Sequence, residues 1–177
     1  PGELGGRCGG CYLEDDMQWV IVLLYWPPRP VSRLDLNLDD KTWWASFEWV
    51  RGTLVKHRGK NCIVMGDWND EFGIHVHTHN ARDDDSFIVG SCEPRQEHLA
   101  SEMARRLCTD LQLVVATSHF PCGDTFFHPN GGRPSKIDHI LVSQHLFSVV
   151  DHVGTLTTAG RRLQLASWSR ACDAIPC

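Results

Sequence analysis

The chain has 177 residues, 42% of them apolar and 22% charged, with a formal net charge of −5. That length suffices for one domain with a two-layer core, and the balance is globular rather than disordered. No apolar run approaches the ~20 residues that span a bilayer, and the acidic balance speaks against a broad basic surface for nucleic acid.

Glycine and acidic residues dominate positions 1–16, so residues 1–17 read as a loop or a truncated end. The first residue is Pro1 and no basic-then-apolar leader follows it. The expectation is an intracellular protein, nuclear or cytoplasmic, cut from something longer. Eight cysteines are scattered along the chain. They suit reduced thiols better than a disulfide framework. Cys8 and Cys11 form a lone CxxC without a second ligand pair for zinc.

Residues 18–25 are β-branched and aromatic and predict a central strand, stopped by Pro27-Pro28-Arg29-Pro30. From Asp39 the period changes. Trp43, Phe47, Val50 and Leu54 recur at helical spacing, with Asp39 or Asp40 as N-cap and Gly59 near the end. Asn61 to Gly66 is a short apolar strand. A polar segment from Asp67 to Arg95 carries His75, His77 and His79, then Asp83-Asp84-Asp85. The alternating histidines could share a strand face as metal ligands, but no further ligand completes a set, and a solvated loop is the preferred reading. Leu99, Met103, Leu107 and Leu111 mark a second helix, and strands are expected at 113–118, 124–127, 137–142 and 149–157. Order and spacing predict an α/β (or α+β) sandwich, two sheets with helices outside, over residues 18–177.

Three segments can carry chemistry. Gly66-Asp67-Trp68-Asn69 ends a buried strand with a carboxylate and an amide two residues apart. Alone it could be a strand-end turn. Asp138 stands between Ile137 and Ile140, where a charge is costly unless paired, or else faces solvent on an edge strand. Tyr25 precedes a proline turn and could equally be a core aromatic.

Together, in this order, the segments resemble the endonuclease/exonuclease/phosphatase superfamily, which includes DNase I and the LINE-type retrotransposon endonucleases. Tyr25-Trp26-Pro27 resembles the family's Tyr-x-Pro, Gly66-Asp67-Trp68-Asn69 its Gly-Asp-x-Asn, and Ile137-Asp138-His139-Ile140-Leu141-Val142 its late Ile-Asp-x-Ile-Leu-Val. Asp124-Thr125-Phe126 and the following Pro129 and Gly131 are similar to the Thr-Trp…Pro…Gly approach, with Phe126 in place of Trp. The helix after the proline turn and the close Thr…Ile-Asp spacing favour the retrotransposon branch.

The resemblance implies a DNase I-like core, incomplete at its N-terminus, and hydrolysis of a phosphodiester with Mg²⁺ or Mn²⁺. Asp67 would activate water or protonate the leaving oxygen, Asn69 would donate to a phosphate oxygen, and Tyr25 would lend a hydroxyl. Asp173 would support the metal, while Arg133 and Lys136 would guide a DNA backbone. Two departures stand out. The family's Ser-Asp-His-x-Pro reads Cys172-Asp173-Ala174-Ile175-Pro176 here, so alanine replaces the histidine that Asp138 would orient. The family's early metal-binding Glu has no counterpart in the 24 residues before Tyr25. Asp151-His152 is another Asp-His pair, but without the following proline; His152 is thus a weak substitute, and the pair reads as loop or strand. Three functions follow as expectations. One is a nicking endonuclease domain of a retroelement, with a reverse-transcriptase domain in the full chain. The others are a phosphatase for a small phosphorylated lipid or inositol, and a non-catalytic remnant.

Overall fold

Five strands form one mixed sheet in the computed structural model, which describes residues 8–13, 18–26, 38–74, 85–128 and 130–155. In chain order the elements are β1 (Cys8–Leu13), β2 (Trp19–Tyr25), α1 (Leu38–Lys56), β3 (Asn61–Asp67), β4 (Gly73–Ile74), α2 (Asp85–Ile88), β5 (Arg95–Gln96), α3 (Leu99–Leu111), β6 (Leu113–Val115), β7 (Asp138–Ser143) and α4 (Gln144–Phe147). The sheet order is β1-β2-β3-β7-β6, and β4 and β5 make a separate two-stranded ribbon. Only β2 and β3 of the large sheet run parallel, joined through α1; the other neighbours are antiparallel. This is an α/β fold, a mixed sheet flanked by helices.

One sheet face carries Val20, Val22, Leu24, Cys62, Val64 and Leu141, all buried against the helices. Trp43, Phe47, Val50 and Leu54 of α1 are buried there as their spacing predicts. On α3 the buried stripe is Ala100, Ala104, Leu107 and Cys108, with Met103 and Leu111 at its border. The face thus holds Leu107, Met103 and Leu111 as their spacing predicts and is extended to one side by small residues. A second cluster covers part of the opposite face, built on Val114, Val142, Cys122 and Val153. On that face of β2, Leu23 is 55% exposed.

Three expectations are corrected. Cys8–Leu13, assigned to a loop on its glycine content, is an edge strand, because pairing with β2 supplies the ladder its propensity lacks. The expected strand at 124–127 is only a bridge between Phe126 and Ser135. No strand occupies 149–155 among the described residues. The Asp67–Arg95 segment is also less irregular than its polarity suggested. It contains β4 and α2, and Glu97 accepts from the Gly73 N–H at 2.9 Å and pairs with buried Arg105.

Candidate functional site

The register brings three sequence-predicted residues into one row. Tyr25 is the Cα partner of Asp67 across the parallel β2–β3 ladder, and Asp67 is the partner of Asp138 across the antiparallel β3–β7 ladder. Directly opposed residues point to the same sheet face, so phenol and two carboxylates leave the sheet side by side at one end. The close fit at this end depends on Gly66, whose φ is +144°. A Cβ there would lie 1.9 Å from the Leu24 carbonyl oxygen.

Past the ladder the chain turns under tight hydrogen bonding. The Trp26 N–H donates to the Asp67 carbonyl at 2.7 Å and the Trp68 N–H to the Ile137 carbonyl at 2.8 Å. Asn69 adopts a left-handed φ of +50°, which asparagine tolerates better than most residues. Its N–H donates to Asp67 Oδ1 at 2.8 Å, and its Nδ2 donates to the Trp26 carbonyl at 2.6 Å. One amide hydrogen is therefore spent on the backbone, leaving the other for a ligand.

Burial pushes the Asp67 carboxyl above its usual range, the Asn69 N–H pulls it back, and the charge of Asp138 pushes it up again. Such a pair is eased by a cation between its members. Magnesium needs only one or two protein carboxylates and keeps water as its other ligands. Asp67 and Asp138, with oxygen donors only, fit that demand. No group of three or more His, Cys, Asp or Glu residues gathers as a metal cluster among the described residues.

Thr125 is a contributor to which the sequence reading assigned no role. Its Oγ1 accepts from the backbone N–H of both Ile137 and Asp138 at 3.1 Å each. Two accepted bonds fill the oxygen's lone pairs and leave its own hydrogen to donate. The signal was present in Asp124-Thr125-Phe126, but the bond that gives it meaning crosses a hairpin. Thr125 and Asp138 line a cleft of about 330 Å³, together with Gly66, Val153, Gly154 and Thr155.

The remaining predicted residues do not all join this row. Lys136 is corrected as a surface cation: it is 3% exposed and its Nζ lies 3.0 Å from Glu93 Oε2. Burial demands a partner, and Glu93 provides it; the Glu93 carboxyl is in turn held low by Lys136. Arg133 is exposed on the hairpin that leads into β7. His152 is exposed, its ring 6.2 Å from that of Phe120, while its neighbours Val153, Gly154 and Thr155 line the cleft. Asp173, Ala174, His75, His77 and His79 lie outside the described residues. No helix among the described residues is long and apolar enough to cross a membrane.

A 3′-5′ exonuclease (NExo) from Neisseria meningitidis is structurally similar, with 20% identity and a TM-score of 0.47 over 80% of this chain and 59% of the other. The endonuclease domain of TRAS1, a telomere-specific non-LTR retrotransposon, has 13% identity and a TM-score of 0.44 over 82% and 54%. The chain thus spans less than two thirds of either structure. Comparison with curated proteins yields no match. The Endonuclease/Exonuclease/phosphatase family model matches residues 5–161. The chain belongs to the endonuclease/exonuclease/phosphatase family.

Proposed function

We propose that the Tyr25–Asp67–Asp138 row is part of a metal-dependent phosphodiesterase site that acts on DNA, in the nicking endonuclease domain of a retroelement. The observation that carries this reading is the unbroken Cα register of those three residues across adjacent strands. A divalent ion, Mg²⁺ or Mn²⁺, would be held by Asp67 and Asp138, with Asp173 as a further ligand from the C-terminal segment. It would supply charge neutralisation at the phosphate and the leaving oxygen.

The chain's own groups do the rest. Asp67, whose carboxyl burial holds above its usual range, would take a proton from water. The second amide hydrogen of Asn69 and the Tyr25 hydroxyl can donate to phosphate oxygens. Arg133, exposed on the hairpin that also carries Phe127 at 68% exposure, would offer a cation, and Phe127 an aromatic face, to a nucleic-acid backbone and its bases. A reverse-transcriptase domain in the full-length protein belongs to the same proposal.

Ala174 favours a second reading, a remnant that binds metal and phosphate without turnover. Mn²⁺ titration followed by electron paramagnetic resonance tests the common core of both. One bound ion is expected in the wild type, with affinity lost in Asp67→Asn and in Asp138→Asn. Unchanged binding in both variants would remove the proposed site.

A further inference from the structure

The Asp67–Asp138 ladder pair is the last one of β3, and a turn leaving the end of a ladder opens readily unless something holds it. His139 is placed to hold this one. It follows Asp138 in β7 and points to the opposite, helix-packed face, where it is 2% exposed. Its Nε2 lies 3.1 Å from the carbonyl oxygen of Asp70, one residue beyond Asn69. A carbonyl only accepts, so Nε2 carries the hydrogen and donates. Nδ1 is then the acceptor, and Thr117 Oγ1 donates to it at 3.0 Å. The Phe72 ring meets the imidazole edge-on at 4.7 Å and 89°, which holds its plane.

We propose that His139 is a positioning residue for the candidate site: its ring clamps the 67–70 turn to β7 and so keeps Asp67 and Asp138 at a fixed spacing. The proposal rests on reading those two carboxylates as one site. The geometry favours it over ordinary core packing because both ends of the clamp abut site residues. The donor is one residue past Asp138, and the acceptor is one residue past Asn69. The Trp68 N–H bond to Ile137 ties the same two segments through the backbone. The turn is anchored from behind as well, since Asp70 Oδ2 accepts the Ser101 N–H of α3 at 3.0 Å.

Amide hydrogen exchange of the full chain tests the clamp without reference to catalysis. In His139→Phe, which keeps a ring against Phe72 but loses the donor, the Trp26 and Trp68 amides are expected to exchange about tenfold faster. Val22 and Val64, in the interior strands β2 and β3, should keep their protection. His139→Gln, which retains an N–H donor, should restore much of the loss. Equal loss at all four amides, or none, would overturn the proposal. If His139→Phe does not fold, Thr117→Val makes the same comparison by releasing the Nδ1 side of the ring, with the same selective loss expected. Loss of Mn²⁺ binding in Asp67→Asn with no selective exchange change in these variants would leave the site standing and remove the clamp. The reverse pattern would remove the site and leave His139 as a local clamp only.

Discussion

Asp67 and Asp138 face each other as Cα partners at the end of the β3–β7 ladder, and burial, with the charge of Asp138 beside it, raises the proton affinity of Asp67. A carboxyl whose pKa is higher in the folded state than in the unfolded chain favours folding when protonated. That contribution is present below the unfolded pKa and lost as pH rises through the folded one. Near neutrality the Asp67 charge is thus a stability cost. Asp67→Asn should raise Tm by a few degrees at neutral pH, and the gain should fade as pH falls through the ordinary carboxylate range. Mn²⁺ should raise the Tm of the wild type more than that of the variant. A variant less stable than the wild type at neutral pH would contradict this account.

His139 gives the opposite pH dependence. Burial pushes its imidazole from 6.5 down to about 4, against the Asp70 carbonyl, which pulls it up. The folded form holds the ring neutral while the unfolded chain takes a proton. Stability is therefore full above pH 6.5 and declines as pH falls toward 4, by roughly 3 kcal/mol at 1.36 kcal/mol per pH unit. Urea unfolding across that window should show a steady fall in the midpoint, and His139→Phe should flatten it. A midpoint that does not move in the wild type would show that the ring is protonated in the fold.

Much of this site was legible because its parts sit at strand ends with their own punctuation. Tyr25 comes just before Pro27-Pro28, Gly66-Asp67-Trp68-Asn69 closes an apolar run, and Asp138 interrupts one. What stayed hidden depends on partners distant in sequence. Lys136 is unavailable at the surface because Glu93 holds it across 43 positions, and Thr125 matters through bonds to residues twelve and thirteen positions on. The strand at Cys8–Leu13 is made by its neighbour rather than by its own glycines. On α3 the period was right: Leu107 is buried and Met103 and Leu111 pack at the border of the face, which Ala100, Ala104 and Cys108 extend without any large apolar mark in the sequence.

Gly66 offers a test of the close fit at the end of the sheet. Its φ of +144° and the 1.9 Å approach to the Leu24 carbonyl mean that backbone, not a yielding side chain, stands in the way. Gly66→Ala must spread β2 from β3 where Tyr25 meets Asp67. A loss of roughly 3 kcal/mol or more is expected in denaturant unfolding. A loss below about 1 kcal/mol, the ordinary cost of a point mutation, would show that the two strands are not held as tightly as the register implies.

The last prediction concerns activity. The chain as it stands should not nick supercoiled plasmid in Mg²⁺ above the level of its Asp67→Ala variant. The reason proposed lies at position 174, where the resemblance to the family puts alanine in the place of a transition-state donor. Alanine can neither transfer a proton nor donate a hydrogen bond, and losing one such group commonly slows a reaction by ~10²–10³ or more. Ala174→His is expected to raise metal-dependent nicking above that baseline, and Asp67→Ala in the same background to remove the gain. That pair of results separates a silenced site from an absent one, because only a site whose carboxylates are still placed can respond to the restored donor. Metal-dependent nicking by the unmodified chain, abolished by Asp67→Ala, would overturn the prediction and make His152 the candidate donor. His152 is exposed and adjoins residues that line the cleft beside Asp138, so His152→Ala would then be the decisive variant. If neither the unmodified chain nor Ala174→His nicks while Mn²⁺ still binds at Asp67 and Asp138, the remnant reading is the one that survives.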